Sequence, residues 1–141
     1  TEVLKRHGPG NGLCPLCAVP ETETHILFSC TAARVMWTFV YEALGPDWRA
    51  LDLAEFLQYR ATHPPQHRRL FWLIFAAMAW TLWTTRNKMM IEKVFPAKAS
   101  NSFKFLAFMQ HWHPLSRQCD RTRLGHMMDA LLATARRLSA S

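Results

Sequence analysis

The run CPLCAVPETETHILFSC, residues 14–30, holds three of the chain's four cysteines and one histidine. Two residues separate Cys14 from Cys17, seven separate Cys17 from His25, and four separate His25 from Cys30. A Cys-x-x-Cys turn lets two sulfurs face one point, and three thiolates with one imidazole complete the tetrahedral shell that zinc prefers. Because the protein fills all four positions, no place remains for a water, which is the pattern of a structural ion and not of a catalytic one. The expectation is a structural zinc held by Cys14, Cys17, His25 and Cys30. Three other readings compete with it: a disulfide framework, a redox Cys-x-x-Cys, and coincidence. A disulfide needs an oxidising compartment, and no thioredoxin-like βαβ pattern surrounds the motif.

His25 and Cys30 are five residues apart, which on a continuous α-helix sets them about 140° from each other. One unbroken α-helix through both would hold a metal poorly. The spacing predicts a short helical turn beginning near Thr22 or Thr24, a break around Cys30, and a restart capped by Thr31. Ile26, Leu27 and Phe28 are expected to anchor this knuckle on a helical core. Glu21 and Glu23 suit the positive end of its first turn.

Outward from the knuckle the pattern is helical. Val35, Met36, Phe39, Val40, Ala43 and Leu44 form an apolar stripe at helical spacing, ended by Gly45-Pro46. Asp52 can cap a second helix with Leu53, Phe56 and Leu57, stopped before His63-Pro64-Pro65. A long third helix is predicted from Pro65 or Gln66 to Val94, its first half apolar all round and so buried all round, its second half emerging into solvent. Ser100 or Asn101 can cap a fourth helix carrying Phe105, Phe108, Met109 and Trp112. A fifth is predicted from Thr122 to Leu138, with Leu124, Met127, Met128, Leu131, Leu132 and Ala135 inward. No segment alternates with period two long enough for a strand. The fold expected is all-α, a helical bundle with a small N-terminal zinc knuckle at 14–30, a flexible lead-in at 1–13, and residues 31–141 packed on the knuckle as one unit.

At 141 residues, half of them hydrophobic and with scarce glycine, the chain is long enough for one packed core. Its longest apolar run, Leu70 to Trp80, falls well short of the roughly 20 residues that cross a bilayer. No secretory signal opens the sequence, so an intracellular setting, nuclear or cytoplasmic, with reduced thiols is expected. Residues 1–62 carry five Lys/Arg against seven Asp/Glu, a balance of −2, whereas residues 63–141 carry twelve against three, a balance of +9. This asymmetry points to a polyanion, RNA or DNA, with Arg68, Arg69, Arg86, Lys88, Lys93, Lys104, Arg117, Arg121 and Arg123 as candidate contacts. A solvated basic surface is the competing reading. Arg86-Asn87-Lys88 serves either as a phosphate-binding end or as a cap for neighbouring carbonyls.

An enzyme is not expected. Beyond residue 63 only Glu92, Asp120 and Asp129 are acidic, too few for a two-metal cluster, and no nucleophile motif is present. His111 and His113, with Cys119 the members of an imaginable second metal site, alternate along a helix and do not converge, so they read as surface histidines and Cys119 as a free thiol. Trp72, Trp80 and Trp83 permit base stacking, but a tryptophan stripe in an apolar helix reads first as core.

Taken together, Cys14-Pro-Leu-Cys17, Glu21-Thr22, His25-Ile-Leu-Phe28, Cys30 and Ala33-Arg-Val-Met-Trp37 resemble the zinc-binding domain at the C-terminal end of plant non-LTR (LINE-type) reverse transcriptases. Trp80-Thr-Leu-Trp83-Thr-Thr-Arg86-Asn87-Lys88 is similar to the tryptophan and Arg-Asn signature that follows in those proteins. The resemblance spans roughly residues 10–138. It implies zinc on Cys14, Cys17, His25 and Cys30, and an ancestral role beside a polymerase on element RNA or DNA, without polymerase activity in this chain. A domesticated protein-interaction or oligomerisation domain, with Trp72, Trp83, Phe103 or Phe108 on a partner surface, is the alternative.

Overall fold

The computed structural model describes residues 12–45, 48, 53–61, 65–93 and 98–139. The chain is all-α. After a π-helical turn at His25–Ser29 come α1 (Thr31–Leu44), α2 (Leu53–Ala61), α3 (Pro65–Glu92), α4 (Lys98–Trp112), a 3-10 turn (His113–Leu115) and α5 (Gln118–Ser139). Among the described residues the only extended pairing is an isolated antiparallel bridge between Leu13 and Pro20. No helix among them is long and apolar enough to cross a membrane.

Packing runs in a ring. Helix α3 lies on α4, α4 on α5, and α5 on α1, while α2 sits against α3. The π turn packs on both α1 and α3, so the knuckle fills the seam where the first helix and the long one meet. Fully buried Met36, Phe39, Ile74, Met78, Phe105, Met109, Leu124 and Leu131 fill the ring, each side chain contributing on the order of 1.5–3 kcal/mol by leaving water. A second, aromatic layer under the knuckle joins Phe28, Trp37, Phe56, Phe71 and Phe75, with Phe28 and Trp37 stacked at 5.4 Å and 5°. Trp37 Nε1 also donates to the Leu27 carbonyl at 2.7 Å, which ties the π turn to α1.

Several sequence expectations change. Cys30, extended at φ −60° and ψ 148°, is the N-cap of α1, so Thr31 is its first helical residue and not its cap. Gly45 ends α1 at φ 104°, its N–H donating to the Tyr41 carbonyl at 2.8 Å. Helix α4 starts at Lys98, placing Ser100 and Asn101 inside it, and α5 starts at Gln118, a turn before Thr122. Helix α3 ends at Glu92. Gly12 and Leu13 belong to the knuckle through the bridge and the bond from Glu21 N–H to the Gly12 carbonyl. The remaining lead-in (1–11), the Asp52 cap, His63-Pro64, and Val94 and Pro96 lie outside the described residues.

The largest correction concerns α3. Its buried stripe is Leu70, Phe71, Ile74, Ala77, Met78, Thr81, Leu82, Thr85, Arg86 and Met89, which continues at helical spacing through the half expected to emerge. Conversely, Trp72, Trp80 and Trp83 are 43%, 53% and 44% exposed, so the first half is not buried on all sides. Neighbours cover only one face of α3, and its apolar residues extend round to the other.

Candidate metal centre

Two local structures bring the four residues together. In the first, Cys14 N–H donates to the Val19 carbonyl at 2.8 Å and Ala18 N–H to the Cys14 carbonyl at 2.9 Å. Ala18 takes a left-handed φ of 58°, which curls Cys14-Pro-Leu-Cys17 so that both sulfurs face inward. In the second, His25 N–H donates to Thr22 Oγ1 at 3.1 Å, and Cys30 N–H donates to the His25 carbonyl at 2.7 Å. That last bond spans five residues, the π pattern, and wider winding puts residue 30 over residue 25. The α-helical separation of about 140° is thereby removed. The break after Cys30 stands where the spacing predicts it.

The ligand atoms of Cys14, Cys17, His25 and Cys30 all lie within 4.8 Å of one another. Cys14 Sγ and Cys30 Sγ are 3.6 Å apart, and Cys17 Sγ and Cys30 Sγ 3.9 Å. A tetrahedron with metal–sulfur bonds of about 2.3 Å has edges of about 3.8 Å, whereas a disulfide needs about 2.05 Å. All four cysteines are free thiols. His25 Nε2 is buried with no hydrogen-bond partner among the described residues, so the ring offers a free nitrogen to the cluster. The residues present fit a four-coordinate cation, and the group can hold a metal ion.

The electrostatics depend on position. The Thr31 N–H at the start of α1 and the Thr31 hydroxyl, 3.5 Å from Cys17 Sγ, hold the Cys17 thiol below its ordinary value, as expected at a helix N-terminus. Burial pushes the Cys30 thiol up to about 12, against the opposing Ala32 N–H. Burial and the charge of Arg34 lower the His25 pKa, which keeps the imidazole in its neutral, ligating form. A cation reverses the penalty on the thiolates by supplying the missing positive charge.

Glu21 does not serve the first-turn dipole, although Glu23 is exposed beside it. Glu21 is 6% exposed and pairs with Arg86, itself 4% exposed; Arg86 Nε donates to Glu21 Oε1 at 2.5 Å, and Nη2 contacts Oε2. Arg86 therefore closes on the knuckle and is not presented to a phosphate. Sequence reasoning missed this pair, though a signal existed: Arg86 falls in the same helical stripe as Leu82 and Met89.

The other basic candidates do not form one patch. Arg69 donates to both Asp120 carboxylate oxygens, at 2.7 and 3.1 Å. Arg121 donates to the Pro114 and Ser116 carbonyls at 3.0 and 3.3 Å, with Arg117 and Arg123 exposed nearby in sequence and Arg68 half-buried. At the other end of α3, Lys88 is exposed about 28 Å from Arg69 at 1.5 Å per residue, and Lys93 is exposed just past the helix end. Lys104 Nζ donates to Thr84 Oγ1 at 3.2 Å, and burial together with the charge of Lys88 lowers its pKa. His111 is exposed, and His113 Nε2 lies 3.3 Å from the Arg121 carbonyl. Exposed Cys119 neighbours Arg69 at 3.7 Å, and none of these three joins a metal-ligand group among the described residues. No family model, no curated protein and no solved structure matches the chain.

Proposed function

We propose that this chain is a zinc-stabilised helical module that binds single-stranded RNA or DNA along the exposed face of α3. The choice of zinc rests on the donor set, since three soft thiolates and an imidazole in a closed tetrahedral site select it over harder cations. The ion's role is structural, with Cys14, Cys17, His25 and Cys30 as its holders, and no catalysis is assigned. A reducing nuclear or cytoplasmic setting belongs to the same reading, as does descent from the C-terminal part of a plant non-LTR retroelement, which the ligand spacing supports.

The observation that carries nucleic-acid binding is the adjacency of exposed aromatics and lysines. Trp80 and Trp83 are solvent-facing, Lys88 lies one turn beyond Thr84 on the same face, and Lys104 reaches Thr84 from α4. Stacking platforms beside cations bind single strands without sequence preference, each stacked base contributing about 1–3 kcal/mol. Arg86 is not part of this surface; Lys93 lies just beyond Lys88, whereas Arg68, Arg69, Arg117, Arg121 and Arg123 stand at the far end of α3 and on α5 and add only long-range positive field. Titration of single-stranded RNA and DNA oligonucleotides into the chain tests it. Tryptophan quenching is expected, with log K falling against log salt at about −0.7 per phosphate contact. Replacing Trp80 and Trp83 together by Ala should weaken binding about tenfold or more. Absence of binding at low salt rejects the proposal.

A second reading is favoured by a different property of the same region. Ile26, Leu27, Ala76, Trp80, Trp83 and Phe108 line an apolar groove of about 450 Å³, and Trp72 and Phe103 are also exposed. Such a groove suits a protein-interaction or oligomerisation domain. Concentration-dependent self-association without oligonucleotide binding would select that reading.

A further inference from the structure

The buried pair Glu21–Arg86 leaves part of itself unused. A guanidinium carries five N–H donors in a fixed fork; Glu21 takes the Nε and Nη2 edge, and Arg86 Nη1 is buried with no hydrogen-bond partner among the described residues. Arg86 lines a small cavity of about 20 Å³ together with Cys14, Glu21, His25 and Cys30. Arg86 Nη1 and His25 Nε2, neither with a hydrogen-bond partner among the described residues, thus belong to residues that line one small space. The His25 nitrogen fits a cation. The Arg86 group needs an acceptor, and a ligated thiolate is one.

Charge gives the same answer. A divalent ion with three thiolates and a neutral imidazole carries a net charge of −1, and such a centre next to buried Glu21 would place two negative charges together. Arg86 supplies the compensating charge: burial lowers its pKa, and the charge of the Cys14 thiol opposes that. We infer that Arg86 is an outer-sphere positioning residue of the metal centre, donating from Nη1 to the Cys14 thiolate while Glu21 fixes the plane of its guanidinium. This rests on the metal reading above. It also couples the ion to α3: Arg86 stands 65 positions from Glu21, so loading the knuckle pins the long helix at its polar half.

The experiment uses the full chain loaded with cobalt(II) or zinc(II). The Arg86→Lys variant keeps the charge and the Glu21 partner but loses the second arm of the fork. It should shift the thiolate-to-cobalt charge-transfer band and weaken zinc about 10- to 100-fold, the range for lost outer-sphere partners. The variant Glu21→Gln with Arg86→Gln removes both charges without leaving one buried alone, and should show the same loss of affinity with helical circular dichroism retained. A wild-type cobalt spectrum and wild-type zinc affinity in Arg86→Lys would overturn the inference while leaving the metal reading intact. Failure of the unaltered chain to bind either ion would overturn both.

Discussion

The backbone N–H of Cys30 meets the carbonyl of His25 at 2.7 Å, and this i→i+5 contact aligns the last two residues of the cluster that can hold a metal ion. An α-helical bond at this point would shift Cys30 to another face. The π turn costs regular helix geometry, which the chain tolerates because Phe28 is locked against Trp37 and Leu27 is held through its carbonyl.

Removing the metal should loosen the knuckle first and the α1–α3 seam with it. Chelation is expected to lower the thermal midpoint, and Cys17→Ser to weaken zinc binding severely, because affinity for the ion is also folding free energy. A chain whose melting is indifferent to chelator would contradict the centre.

Acid and alkali both destabilise the metal-free chain, through different groups. Burial holds His25 below its ordinary 6.5, so the unfolded chain takes up the proton first; the contribution is whole above about 6.5 and is lost as pH falls through the folded value. Cys30, raised from 9.0 to about 12, favours the neutral thiol; its contribution is whole below about 9 and is lost as pH rises toward 12. Zinc needs thiolates and a neutral imidazole, so its binding should release protons and its affinity should rise between about pH 6 and about pH 8. Competition titrations at the two pH values measure this.

Phe28→Ala should be the most damaging single truncation near the knuckle. Phe28 is 3% exposed and stacks on Trp37, and such deletions cost about 3–5 kcal/mol. Denaturant unfolding should show it, together with weaker metal binding, since the same residue seats the π turn.

Gly45→Ala tests the end of α1. At φ 104° an L side chain is strained even though nothing lies within 4 Å of its added carbon, so the expected cost is about 1–3 kcal/mol from backbone strain alone. An unchanged unfolding midpoint would mean that the turn relaxes.

Asp120 is held below its ordinary 3.8 by the hydrogen bonds from Arg69. Its contribution is present above about 3.8 and lost as pH falls through the lower folded value. Asp120→Asn should therefore lower the melting temperature at neutral pH, and the gap from the unaltered chain should narrow in acid.

The cluster of Cys14, Cys17, His25 and Cys30, the break after Cys30, and the stop at Gly45 were legible in the sequence because each is a local matter of spacing or backbone freedom. The helical core was legible for the same reason: Met36, Phe39, Phe105, Met109, Leu124 and Leu131 recur at the period of a helix, and all are buried. What stayed hidden was which side of α3 its neighbours cover. Periodicity weakens when nearly every residue is apolar, so the exposure of Trp72, Trp80 and Trp83 follows only from where α4, α5 and the knuckle pack. Arg86 was hidden for a related reason. Read along the chain it opens a basic stretch before Asn87 and Lys88, yet a carboxylate 65 positions away draws it into the interior. Local chemistry fixed the ligand set and the helices; long-range packing and charge pairing decided which surface is free and what surrounds the centre.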